Sequence, residues 1–262
     1  MTDSSPDVAL FIHSTGVGPF MWNPLLADLP EGLQALTPVN RGYHPQDLVP
    51  RGQPMTVADE VAHLKAQIPP GTRGVHLGGH SYGGLVALTL ALDPEVPVRS
   101  LWLYEPVLFG PLWRDKEALS DEARGDVLRL FEGERALLND DTGGQAPWLE
   151  QFVDYWNQPG AWAAMSEKSR AMAQLVGWKM YQEVRAVSTL PHDFDHFRLQ
   201  VPMTLVFGET SPAPAREMVR RLAVVNPQAQ VESLSGLGHM SLLSQPDQVL
   251  PTLQSHWARV LT

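Results

Sequence analysis

Short apolar runs separated by helical patterns recur along this chain, and that alternation restricts it to a parallel sheet with helices packed on both faces. Residues 8–13 (VALFIH) read as a first buried strand, followed by a small-residue loop and a helical stretch through Trp22, Leu25, Leu26 and Leu29. A second strand is expected over residues 34–39, running into Asn40-Arg41-Gly42-Tyr43. Thr56 and Asp59 have the form of a capping box. Val57, Val61, Leu64 and Ile68 then follow as the core stripe of a helix. Residues 74–78 form the third strand pattern, and the stretch 85–92 after it is apolar on nearly every side, as a buried helix must be. A fourth strand, residues 100–104 (SLWLY), closes on Glu105-Pro106.

From about residue 111 to 190 the strand pattern disappears. Helical stretches follow one another, and five of the chain's eight tryptophans lie here: Trp113, Trp148, Trp156, Trp162 and Trp178. Strand patterns resume at residues 203–207 (MTLVF) and 230–234, each followed by a helix. The expected fold class is therefore α/β: a mostly parallel sheet of about six strands with helices on both faces and an inserted helical cap. Residues 1–110 and 191–262 would build the core and residues 111–190 the cap.

Composition removes several function classes. A formal net charge of −10 argues against attraction to nucleic-acid phosphates or anionic membranes, so neither is expected as a partner. The absence of cysteine excludes disulfides, thiolate catalysis and Cys-ligated metal. No basic segment followed by an apolar one opens the sequence, and no apolar run approaches the ~18 residues of a membrane span. A cytoplasmic location is the resulting expectation.

Gly79-His80-Ser81-Tyr82-Gly83 matches G-x-S-x-G. The pattern is weak by itself, but here it stands between an apolar strand and an apolar helix. In that context a sharp turn strains the serine and exposes its Oγ above the sheet. A serine hydroxyl needs a neighbouring base, most often histidine. Of nine histidines, His239 is the best placed, in a glycine-bearing loop after the last strand pattern. His13 and His76 fall in strand patterns and are expected to be structural.

These segments together, Phe11-Ile12-His13-Ser14-Thr15-Gly16, Asn40-Arg41-Gly42-Tyr43, the glycine-flanked Ser81 and Gly238-His239, resemble the α/β-hydrolase superfamily over about residues 8–110 and 195–262. The resemblance implies an oxyanion hole of two backbone amides, one from Tyr82 and one from the loop after the first strand, with Thr15 favoured over Ser14. It implies no metal or organic cofactor. It also implies a serine hydrolase acting on a small carboxylic ester or related acyl compound. Acyl transfer, carbon–carbon bond hydrolysis, perhydrolysis and a non-catalytic binding role remain alternatives on the same site. Aromatic residues at helical spacing in the cap, such as Trp148, Phe152, Tyr155 and Trp156, favour a substrate with an apolar part.

Three departures from the family pattern matter. His13 is followed by Ser14 rather than glycine. The antiparallel pair that usually precedes the first strand has no sequence to occupy, which leaves the 34–39 strand at an edge. At the family's usual acid position, in Gly208-Glu209-Thr210-Ser211, this chain has serine. A carboxylate is still needed to orient the histidine. Glu105, at the tip of the fourth strand, is the favoured substitute, with Glu209 as the alternative.

Overall fold

A computed structural model describes residues 7–133 and 136–261. Its sheet contains six strands: β1 (Asp7–Ile12), β2 (Leu33–Leu36), β3 (Val75–His80), β4 (Val98–Tyr104), β5 (Met203–Gly208) and β6 (Gln230–Leu234). Their order across the sheet is β2-β1-β3-β4-β5-β6, and every neighbouring pair is parallel. The sheet is thus wholly parallel, and β2 lies at one edge as expected.

The helices are α1 (Asn23–Leu26), α2 (Val57–Lys65), α3 (Tyr82–Leu90), α4 (Phe109–Arg114), α5 (Asp121–Phe131), α6 (Ala146–Trp156), α7 (Ala161–Ala164), α8 (Glu167–Leu175), α9 (Gly177–Ser188), α10 (Ala213–Val225), α11 (Ser241–Ser244) and α12 (Pro246–Val260). Helices α4–α9 all fall between β4 and β5. Among the described residues none of the helices is long and apolar enough to cross a membrane.

Alternating side chains on the strands feed two cores. Val8, Leu10 and Ile12 of β1 pack with Leu64 of α2, Leu85 of α3 and Met218 of α10 on one face. Ala9 and Phe11 pack on the other with Trp22, Leu25 of α1, and Val249 and Leu253 of α12. Helix α3 is buried at every position from Tyr82 to Leu88, as its unbroken apolar pattern requires.

Boundaries moved where tertiary pairing or proline decided them. Strand β3 runs on to His80, because Gly79 and His80 pair with Leu103 and Tyr104 of β4. Ser81 is consequently the first residue off the strand. Strand β2 is shorter than the 34–39 pattern, since β1 offers partners only for Leu33 to Leu36. Helix α2 has the expected capping box, Thr56 Oγ1 accepting from Asp59 N–H while the Asp59 carboxylate accepts from Thr56 N–H. It ends at Lys65, ahead of the pattern's Ile68, as Pro69 and Pro70 approach.

Candidate active site

The C-terminal ends of parallel strands gather loops from distant parts of a chain at one edge of the sheet. Here that edge collects Thr15 after β1, Ser81 after β3, Glu105 after β4 and His239 after β6. Ser81 sits at φ 56° and ψ −120°, a conformation costly for a side-chain-bearing residue. The turn is held by Ser81 N–H donating to Tyr104 O, and by Gly84 N–H donating back to Ser81 O. It also needs bare backbone on either side. A Cβ on Gly79 would lie 2.6 Å from the Gly83 carbonyl oxygen, and one on Gly83 would collide with the Ile12 carbonyl.

Ser81 and Glu105 are the only non-glycine residues at positive φ among those described, with Glu105 at 44°. Such strain persists only where the surroundings over-determine the conformation, and it concentrates at functional sites. In Glu105 the surroundings are visible. Its N–H donates to Val206 O, and its buried carboxylate accepts from Gly208 N–H (2.7 Å) and Ser211 Oγ (2.5 Å) through Oε1. The other oxygen, Oε2, lies 2.6 Å from His239 Nδ1, and His239 Nε2 lies 3.0 Å from Ser81 Oγ.

The structure therefore brings Ser81, His239 and Glu105 into one hydrogen-bonded line. Glu209 is exposed and belongs to no such contact, its N–H donating to Leu234 O. The serine at the usual acid position is not idle. Ser211 donates to the glutamate that replaces that acid.

Several contacts fix the imidazole. Tyr104 donates through its hydroxyl to Gly238 O at 2.8 Å, and the His80 ring donates through Nε2 to His239 O at 2.9 Å. Burial, followed by the nearby His239, drives the His80 pKa far down, so His80 stays neutral and keeps that donor role. Trp156 of α6 packs against the His239 ring, with centroids 3.9 Å apart and the planes tilted by 31°. An aromatic face at that distance stabilises an imidazolium. His80 fills the first variable position of G-x-S-x-G, where a sequence reading has no reason to assign it a partner across 159 residues.

The amide of Tyr82 begins α3, so it has no acceptor within the helix, and Tyr82 lines the smaller cavity together with Ser81. Gly16 N–H is engaged by the Tyr43 hydroxyl at 2.8 Å. Thr15 lines both cavities that meet at Ser81; Ser14 lines only one of them, and its carbonyl accepts from His13 Nδ1. His13 is structural as expected: its Nε2 accepts from Asn40 N–H, and burial lowers its pKa to about 4. His76 shares a hydrogen bond with Ser100 Oγ.

Of the two cavities, the smaller, about 20 Å³, lies among Tyr82, Val107, Phe109, Leu130, Leu137 and Val187. The larger, about 260 Å³, is bounded by Val17, Val153, Met165, Met180, His239 and Leu243. Phe152 and Trp156 of α6 form a wall common to both.

The family model described as the alpha/beta hydrolase family matches residues 9–252. The chain belongs to that family. Among solved structures, the hydrolase is similar in fold to a hydrolase from Pseudomonas aeruginosa PA01, with 19% identity, a TM-score of 0.68, and 96% of this chain and 89% of that one covered. It is similar also to a thermophilic esterase from Thermogutta terrifontis, with 19% identity, a TM-score of 0.68, and 99% and 92% covered. An enol-lactonase from Burkholderia xenovorans LB400 aligns at 17% identity and a TM-score of 0.63, with 99% and 94% covered. No curated protein sequence matches this hydrolase.

Proposed function

We propose that this protein is a serine esterase that cleaves a small carboxylic ester through an acyl-serine intermediate. The observation that carries the reading is the line from Ser81 Oγ to His239 Nε2 (3.0 Å) and from His239 Nδ1 to Glu105 Oε2 (2.6 Å). Ser81 Oγ attacks the ester carbonyl as His239 Nε2 takes its proton. The charge developing on the carbonyl oxygen is met by the amides of Thr15 and Tyr82; one such donor is worth about 3 kcal/mol. The imidazolium is stabilised by Glu105 and by the face of Trp156. It then returns the proton to the leaving alkoxide, which departs as alcohol. Water, deprotonated by the same His239, attacks the acyl-serine and releases the acid.

The two cavities support an orientation. The leaving oxygen must reach His239, so the alcohol portion occupies the larger cavity that His239 helps to line. The acyl portion then enters the smaller one beside Tyr82. At about 20 Å³ that space admits little more than a water-sized group. A short acyl chain on a larger apolar alcohol is the substrate class that fits. The helices between β4 and β5 act as a cap, since α6 and α9 supply the walls facing Ser81.

An activated acetate ester should produce a burst of alcohol equal to the enzyme concentration, with a fluorophosphonate labelling Ser81 one-to-one. Ser81→Ala should abolish both. A Ser81→Ala protein that still turned over the ester at the wild-type rate would refute the assignment.

A further inference from the structure

Helix α9 carries two charged residues that the proposed reaction does not use, Lys179 and Glu183, each only 1% exposed. Lys179 Nζ lies 2.5 Å from Glu60 Oε2 of α2 and 2.9 Å from Glu183 Oε1. Glu60 Oε1 in turn accepts from Arg41 N–H at 2.7 Å. Glu183 Oε2 accepts from the Tyr43 hydroxyl at 2.7 Å, and that hydroxyl accepts from Gly16 N–H at 2.8 Å. One buried network therefore links the cap, helix α2, the 40–43 segment and the loop whose Thr15 lines both cavities at Ser81.

Stability alone is a poor reason for such a network. Removing three ionised groups from water costs several kcal/mol per ion, and apolar residues of similar size often serve a core as well. Its geometry has a different consequence. The Tyr43 hydroxyl accepts from Gly16 N–H, which fixes the peptide next to Thr15 and removes Gly16 as a competing donor. Tyr43 itself lines neither cavity at Ser81 and so does not touch substrate, whereas Glu183 borders the smaller one. Its ring packs edge-on against His13 at 5.1 Å and lies under Lys179 at 5.6 Å. A hydroxyl bonded on both sides, on a ring held on both sides, leaves the loop little freedom.

We propose that Tyr43 and Glu183 are positioning residues for the oxyanion hole, holding the Thr15 amide toward Ser81 through hydrogen bonds from Glu183 to Gly16 by way of Tyr43, with Glu183 anchored by its ion pair to Lys179 and, through Lys179, to Glu60. The cap then does more than enclose substrate. Through Glu183 it fastens one of the two oxyanion donors, so a correctly seated α9 is a condition for transition-state stabilisation. The inference rests on the esterase reading, because it concerns the amide assigned there to the oxyanion.

The test is Tyr43→Phe in the full-length protein, which removes one hydroxyl and keeps the ring, with Glu183→Gln beside it. Each variant should lose about tenfold in kcat on an acetate ester, and in Tyr43→Phe, whose ring lies outside both cavities, KM should stay within twofold. The inhibition constant of a trifluoromethyl ketone, which forms a tetrahedral oxyanion on Ser81, should rise by the same factor as kcat/KM falls. Binding of the product alcohol should not change. Unaltered kcat and ketone inhibition in folded Tyr43→Phe would overturn the inference, and so would a loss confined to KM. Wild-type protein is labelled with a fluorophosphonate in parallel. Failure to label Ser81 in that control would count against the esterase reading itself and is separable from either variant's behaviour.

Discussion

Replacing Glu105 with glutamine tests the site most sharply, because it changes one atom and poses a conflict the structure can resolve. The carboxylate uses Oε1 to accept from Gly208 N–H and Ser211 Oγ, and Oε2 to accept from His239 Nδ1. Glutamine has a single acceptor oxygen. If that oxygen stays toward Gly208, the amide NH₂ faces His239 Nδ1, which must then become an acceptor. The ring proton moves to Nε2, opposite Ser81, and no base remains. If the amide flips, the tautomer is correct, but NH₂ confronts the Gly208 N–H in a fully buried position. An orphaned buried donor costs about 1–3 kcal/mol. At about 2 kcal/mol only about 3% of molecules hold the productive orientation, which sets a loss of roughly 30-fold before the missing charge is counted. The comparable exchange in a serine protease triad lowers kcat by about 10⁴. Glu105→Gln should therefore fall between those limits in kcat for an activated ester, with the protein still folded by circular dichroism. Glu209→Gln should stay within twofold of wild type. A Glu105→Gln enzyme retaining a third or more of wild-type kcat would refute the assignment of the acid.

Ser211→Ala removes one charge-assisted bond to Glu105 and should lower kcat about tenfold with little change in KM, read from steady-state kinetics. Val187→Ala enlarges the smaller cavity, so the ratio of kcat/KM for a butanoate ester over an acetate ester should rise about tenfold; an unchanged ratio would place the acyl group elsewhere. Burial holds His13 at a pKa of about 4 and His256 at about 3, both below the ordinary 6.5. The unfolded chain takes up protons first as pH falls below 6.5, so stability drops from there toward the folded-state values. Each group should remove about 2 kcal/mol between pH 7 and pH 5, measurable by urea unfolding.

The fold was legible because hydrophobic periodicity is local. Each strand run and each amphipathic stripe reports its own burial, and the sheet of six parallel strands follows from their alternation. The strained serine was legible for a related reason: glycines two positions either side matter only for backbone crowding over a few residues, as the positions of Gly79 and Gly83 bear out. Glu105 was a candidate through its place at a strand tip, though Glu209 competed for the role, and only the approach of β4 to β5 brings Ser211 and Gly208 onto its carboxylate. The contacts of His80 and Trp156 with His239, and the Lys179–Glu183–Tyr43 network, carried no readable signal. Their partners lie 159, 83 and up to 140 residues away in the chain, and a hydrogen bond's worth depends on distance, angle and burial, none of which is a property of neighbours in sequence. Local pattern determined which elements form and which face each buries. Tertiary packing alone decided which polar groups meet, and with them the chemistry of the site.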